Sequence, residues 1–282
     1  MSWDKQACVI AAHNTYTKDG VLLDYIKLAS IAAERVTHYL KVPVYLITED
    51  VHAVSNEDFG KFTGVIEHSP IKITNRAMIV GDNSVTYPWK NDARIDAYEL
   101  TKGLADNILM IDADYMVASD RLLPWLHTDN PFIMFNNASD VTRHGIYDTW
   151  DFPSNDIPQR WATAMKWSHS NEADAVFETA KMVRDNYEFY ALMLGMPKAP
   201  FRNDLAFSVA SHIHSIPTNY TETLYNLPPG GYIYKSTMEH KVWVVGLHNN
   251  CVSWNHDIHV LNKHYAMSPD LMNHLRLQDV ES

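Results

Sequence analysis

The chain has 282 residues, 46% of them hydrophobic and 20% charged, enough apolar material for one large core; this excludes a disordered chain, a collagen or a coiled coil. A net charge of −11 repels polyanions and disfavours broad, non-specific binding of nucleic acid. No apolar run reaches the roughly 18–20 residues of a membrane span, no basic-then-apolar leader opens the sequence, and the two cysteines, Cys8 and Cys251, are too few for a disulfide framework or a cysteine zinc cluster; together these point to a reducing cytoplasm, the host's if the protein is viral.

In chain order, Ala7 to Ala12 is a short continuous apolar run that reads as a buried strand, followed by the polar loop His13-Asn14-Thr15-Tyr16. Leu22 to Leu40 carries apolar residues at helical spacing, and Val42 to Thr48 is a second strand. Strand, helix and strand in that order predict a βαβ unit with a parallel pair. Gly64 to His68 is a weaker third strand, Asn91 to Leu104 a helix, Asn107 to Ile111 a strongly apolar strand ending in Asp112, and Pro131 to Asn136 a further strand. From Ser139 to Met165 the sequence reads as an aromatic, loop-rich stretch. Glu172 to Leu194 predicts one long helix, Phe201 to His214 another, and Val242-Trp243-Val244-Val245 a strand. No boundary divides the chain, so 1–282 is expected to be a single α/β domain. Its first half (1–137) is a Rossmann-like mixed sheet flanked by helices, and its second half (138–282) is a less regular, aromatic lobe.

The sharpest feature is the run Asn107-Ile-Leu-Met-Ile-Asp112-Ala113-Asp114. Ligands of open α/β sheets bind outside the carboxyl ends of the strands, so an acid pair there meets the crevice. Alternation sends Asp112 and Asp114 to one side, and the small Ala113 lets a bulky group approach the backbone. Two carboxylates on one side repel unless a cation lies beside them, and a hard divalent ion such as Mn²⁺ or Mg²⁺ is the natural occupant. The plainer reading is an exposed turn. Neither a GxGxxG nor a GxxxxGK[ST] run occurs, which argues against a dinucleotide oxidoreductase or a P-loop kinase.

At these residues the sequence resembles the GT-A glycosyltransferases, particularly the glycogenin-like and bacteriophage-type nucleotide-sugar transferases. Their strand–Asp-x-Asp element holds a divalent metal on the donor diphosphate. The resemblance implies a GT-A fold, a UDP-sugar-like donor bound by the first half, and an acceptor lobe in the second. It implies a metal on Asp112 and Asp114 with a third ligand from a C-terminal histidine, mapped to His259 with His256 as the other choice. Lys263 is then the cation beside the phosphates, although the glycine of the His-x-x-Gly-x-x-Lys pattern is absent. Arg94, with Lys90, is expected near the phosphates and donor sugar. Lys90, Arg94 and Asp96 are expected on one side of the helix that precedes the acid strand. Asp204, in Phe201-Arg202-Asn203-Asp204, is the candidate general base if the reaction inverts; the plainer reading makes Asn203 or Asp204 a helix N-cap. In the first loop, His13, Thr15 and Tyr16 are expected at the base and ribose, and Ala113 against the donor. Trp150, Trp161 and Trp167 are either core or platforms for an acceptor.

The expected activity is therefore metal-dependent transfer of a hexose or pentose from a nucleotide sugar to a hydroxyl acceptor. One version transfers to a hydroxymethylated base in DNA, against which the acidic charge weighs. The competing readings are a sugar-nucleotide nucleotidyltransferase, which usually has a Gly- and basic-rich first loop, and a non-catalytic binding module of degenerate transferase fold.

Overall fold

The structure, a computed structural model, describes residues 5–16, 20, 22–70, 73–80, 83–90, 92–140, 145–147, 152, 156–197, 200–217, 221–225, 232–235, 242–245, 250–251 and 257–260. The chain begins β1 (Gln6–Ala11), β2 (Thr15–Tyr16), β3 (Leu22–Leu23), α1 (Tyr25–Leu40), β4 (Val44–Thr48), α2 (Asn56–Phe59) and β5 (Gly64–Glu67). A hairpin, β6 (Ile73–Val80) and β7 (Asn83–Lys90), leads to α3 (Ala93–Leu100), β8 (Asn107–Asp112), β9 (Tyr115–Met116), α4 (Leu123–His127) and β10 (Phe132–Phe135). Then come β11 (Asn137–Asp140), β12 (Gly145–Tyr147), β13 (Trp161–Ser168), α5 (Asn171–Asp185), α6 (Tyr187–Met193) and α7 (Asn203–Ile213). The last described strands are β14 (Thr221–Tyr225), β15 (Tyr232–Lys235), β16 (Val242–Val245), β17 (Asn250–Cys251) and β18 (Ile258–Val260).

The central sheet runs β10-β13-β8-β1-β4-β5. β1 pairs in parallel with β4 and β8, and β4 with β5, while β13 lies antiparallel between β8 and β10. This is the expected α/β mixed sheet flanked by helices. Its strands are apolar at nearly every position because both faces are covered. Cys8, Ile10, Leu46, Leu109 and Ile111 face the layer that contains α1 and α4. Ala7, Val9, Ile47, Ile108 and Met110 face the layer of α3, α5 and α7. Lys166 is the exception in β13. Fully buried, its ammonium donates to the carbonyls of Thr128 (3.2 Å) and Asn130 (2.5 Å), and burial pulls it down to about 8.

Several element boundaries differ from the sequence reading, each for a local reason. Leu22 and Leu23 pair with β2, and α1 starts only after Asp24, whose carboxylate accepts from the Lys27 amide at 2.9 Å. The expected helix 172–194 breaks at Asn186, whose side-chain amide donates to the Met182 carbonyl (2.9 Å) and so competes with the helical ladder. The stretch 139–165 is not simply loop: it contributes β11, β12 and the start of β13, whose Thr163 and Lys166 disguised a buried strand. α3 is short, and Lys90 belongs to β7 rather than to a helix shared with Arg94 and Asp96. Gly103, at φ +82, makes the left-handed turn that carries the chain from α3 into β8. Trp167 is wholly buried core, and Trp150 lies outside the described residues.

A second sheet, β12-β11-β14-β18-β9, brings C-terminal strands beside the residues that follow Asp114. Among the described residues no helix is long and apolar enough to cross a membrane.

Candidate functional site

The chain runs from β1 to β4 and β5 on one side of β1, then returns to place β8 on the other. The order of a parallel sheet thus switches between β1 and β8, and the crevice outside the carboxyl ends of such a pair is where α/β sheets bind ligands. Ala11 and Asp112 are register partners at that edge. His13 and Asn14 follow on one side of it, Ala113 and Asp114 on the other.

The strand ends at Asp112 and a turn follows, so simple alternation does not extend to Asp114. The two carboxylates have different environments. The Asp112 side chain is 19% exposed and forms an ion pair with Arg94 from the first turn of α3. Asp114 is buried, as is Ala113. Asp204 sits in the first turn of α7, where Arg202 rather than Asn203 or Asp204 occupies the N-cap position. Its carboxylate accepts from the Ala162 amide of β13 (2.9 Å) and pairs with Arg202 (2.8 Å). Burial pushes the Asp204 carboxyl up, but Arg202, Arg94 and the Ala162 amide outweigh it and hold the group below the usual carboxylate range. Arg94 is thus the ion-pair partner of Asp112 from β8, and its charge also helps to hold Asp204 of α7 low.

Around the first loop, the Glu49 amide donates to His13 Nδ1 (3.0 Å). That contact requires an unprotonated Nδ1, so the neutral ring carries its hydrogen on Nε2. Nε2 has no hydrogen-bond partner among the described residues. Burial, with His68 and Lys90 nearby, lowers the imidazole to about 3. Lys90 is ion-paired with Glu49. The Asn14 side chain accepts from the Ile26 amide at the start of α1 (2.9 Å), and the Thr15 hydroxyl donates to the Pro88 carbonyl (3.3 Å). Tyr16 is 62% exposed, an aromatic ring open to solvent beside the loop.

His68, Asp96 and Arg184 form a second chain of charge, one that no sequence pattern connects. Asp96 Oδ2 contacts His68 Nε2 at 2.9 Å and its Oδ1 accepts from Arg184 of α5 at 2.7 Å. Burial pushes Asp96 up, and these two partners more than reverse it. Arg94 and Asp96, expected on one side of the helix, turn to different partners, Arg94 to Asp112 and Asp96 to His68 and Arg184.

His259 lies in β18 opposite Tyr115, one residue beyond Asp114. Its side chain, His256 and Lys263 lie outside the described residues. Aspartate and histidine are residue types whose oxygens and ring nitrogens can ligate a divalent cation. Among the described residues, no three acid, histidine or cysteine side chains converge as a metal-holding group. A polar cleft of about 530 Å³, lined by Asp106, Asn107, His127, Asp129 and His169 among others, lies at the opposite end of β8 from Asp112.

His13 carries a testable pH effect. Its folded pKa lies below the ordinary 6.5, so the unfolded chain binds the extra proton and stability falls as pH drops from about 6.5 towards about 3. Between pH 6.5 and 5, above the range where the depressed carboxyls of Asp96 and Asp204 titrate, denaturant melts of His13→Asn should show a shallower loss than wild type. The difference is at most about 1.4 kcal/mol per pH unit, and equal slopes would remove the buried neutral imidazole.

No family model matches the chain, and no curated protein matches it. Among solved structures, the galactosyltransferase LgtC in complex with donor and acceptor sugar analogues is 14% identical, with a TM-score of 0.46 over 72% of this chain and 70% of that one. Mouse xyloside xylosyltransferase 1 is 10% identical, with a TM-score of 0.44 over 77% and 85%. A 4-diphosphocytidyl-2C-methyl-D-erythritol synthase from Anaerococcus prevotii is 9% identical, with a TM-score of 0.37 over 79% and 90%. These superpositions are partial, and the chain's own residues carry the functional reading.

Proposed function

We propose that the protein is a GT-A-type, metal-dependent glycosyltransferase that moves a hexose or pentose from a nucleotide-diphosphate sugar, UDP-linked in its simplest form, to a hydroxyl acceptor. The observation that supports this reading is the acid pair Asp112/Asp114 at the β1/β8 switch point, with Arg94 ion-paired to Asp112. In this reading Asp112, Asp114 and His259 hold Mn²⁺ or Mg²⁺. When bound, the ion supplies Lewis-acid stabilisation of the departing diphosphate.

The remaining roles belong to the chain. Arg94 contributes fixed positive charge and a planar fork of donors next to the leaving group, with Lys263 as a second cation. Lys90, tied to Glu49, holds the first loop and adds charge at the same edge. His13, Thr15 and Tyr16 line the base and ribose, with the exposed Tyr16 ring as a stacking surface, and Ala113 leaves room for the donor. Asp204, ionised and held low, is a weak proton acceptor. It serves better to anchor Arg94 and to accept a hydrogen bond from a sugar or acceptor hydroxyl. Transfer to a hydroxymethylated DNA base is the narrowest version of the reaction, and the net charge of −11 weighs against it.

Thermal unfolding tests the reading. UDP is expected to stabilise the chain only with Mn²⁺ present, by about 2.7 kcal/mol at a hundredfold excess over Kd. A panel of nucleotide sugars should contain one whose hydrolysis Mn²⁺ stimulates. Asp114→Asn should retain the fold and lose the metal-dependent shift. A UDP shift that survives Asp114→Asn removes the metal bridge. No shift with any nucleotide sugar turns the reading to a non-catalytic module, and pyrophosphate release from a nucleoside triphosphate and a sugar phosphate turns it to a nucleotidyltransferase.

A further inference from the structure

We infer that Asp257 is a positioning residue, the clamp that fixes β18 and hence His259 against the Asp112-Ala113-Asp114 turn. The inference rests on the proposed metal site for its functional half and on geometry for its structural half.

β18 meets β9 through two residue pairs, Ile258 with Met116 and His259 with Tyr115. A ladder of two rungs at a sheet edge is too short to fix itself in water. On its other side β18 pairs in parallel with β14, His259 with Leu224 and Val260 with Tyr225, which holds the strand in the sheet; what ties it to the segment after Asp114, beyond the two rungs, is the residue just before it. Asp257 is fully buried, and its Oδ1 accepts from the Ala118 amide (2.8 Å), the Ser119 amide (3.0 Å) and the Ser119 hydroxyl (3.0 Å). Its Oδ2 lies 3.3 Å from Arg121 Nε. Arg121 in turn donates to the Tyr115 hydroxyl at 3.3 Å, so it ties the clamp to the residue opposite His259. Buried Arg35 of α1 donates to the Val117 carbonyl at 2.7 Å and holds the receiving segment in place.

The C-terminal segment is thereby joined, across more than a hundred residues of sequence, to the seven residues that follow Asp114. The chemistry of an aspartate suits this position, since one oxygen gathers two neighbouring amides and a hydroxyl while the other meets a guanidinium. Asparagine can keep the first set and lose the second. Alanine loses both.

The experiment uses the full chain and two readouts. Amide exchange in Asp257→Ala should rise at 118–119 and 258–260 while β1 and β8 stay protected; unchanged exchange at 258–260 overturns the clamp. Mn²⁺ titration without nucleotide should show at least a tenfold weaker affinity in Asp257→Ala, a similar loss in His259→Ala, and no further loss in the double variant. Asp257→Asn should recover most of the affinity. Additive losses in the double variant, or wild-type affinity in Asp257→Ala beside a weakened His259→Ala, overturn the positioning role. Wild-type affinity in His259→Ala, or no Mn²⁺ binding by the wild type, instead overturns the metal reading, and the exchange result then decides the clamp by itself.

Discussion

Arg94→Ala is expected to lower the proposed glycosyl transfer by about 10²–10³-fold, the usual cost of removing one fixed group that stabilises developing charge. The same change should destabilise the fold by about 2–3 kcal/mol, below the ~3–5 kcal/mol of a fully buried broken pair because both partners keep some solvent. Two acids lose their shared cation at once: Asp112, its ion-pair partner, and Asp204, whose carboxyl Arg94 helps to hold low. The two losses can be separated. Adding Asp112→Asn to Arg94→Ala removes the stranded negative charge and should restore most of the stability while activity stays low. Arg94→Lys keeps the charge without the planar fork and should fall between. Denaturant melts beside initial rates on the substrate found by the nucleotide-sugar panel check both. Activity that returns with stability in the double variant would make Arg94 a structural counter-ion alone.

Phe177→Ala is expected to cost about 3–5 kcal/mol, the range for deleting a fully buried aromatic ring, and to lower Tm by about 10 °C. Its ring stacks on Tyr98 (4.6 Å between centroids) and meets Trp167 (5.1 Å), Phe207 (5.4 Å) and Phe132 (5.8 Å) edge-on. Tyr98 shares α3 with Arg94, and Phe207 shares α7 with Asp204. The ring therefore sets the spacing between the two helices that bring those side chains to the edge of β8. Phe177→Leu refills much of the volume and should cost roughly half as much, with the smaller cavity as the reason. Calorimetry of the three proteins checks the order, and equal melting points for Phe177→Ala and wild type would mean that the cluster is not a support.

Much of the sheet could be read from Ala7–Ala12, Val42–Thr48 and Asn107–Ile111, because strands buried on both faces are apolar throughout and carry a strong local signal. β13 was hidden for the opposite reason: its Lys166 and Thr163 read as surface residues, and only the carbonyls of Thr128 and Asn130, distant in sequence, make a buried lysine tolerable. Asp112 stood out as an acid at the end of an apolar strand. Its partnership with Arg94, and the reach of Arg94 to Asp204, depend on how α3 and α7 pack, which no local pattern encodes. His68 and Arg184 were missed on the same ground: each is ordinary in its own segment, and Asp96 joins them only in three dimensions. Asp257 was passed over among the histidines of the tail, since its signature is a set of main-chain amides with no sequence pattern of its own.

The antiparallel insertion of β13 has a consequence for biosynthesis. Phe132–Phe135 is all apolar, and it reaches β8 only through a strand that leaves the ribosome some thirty residues later. At the ~5–20 residues per second of translation, that edge waits seconds without a neighbour, an interval in which exposed strands recruit chaperones or each other. Nascent chains halted before Trp161 should thus be the sticky ones, and those that have released Ser168 should not.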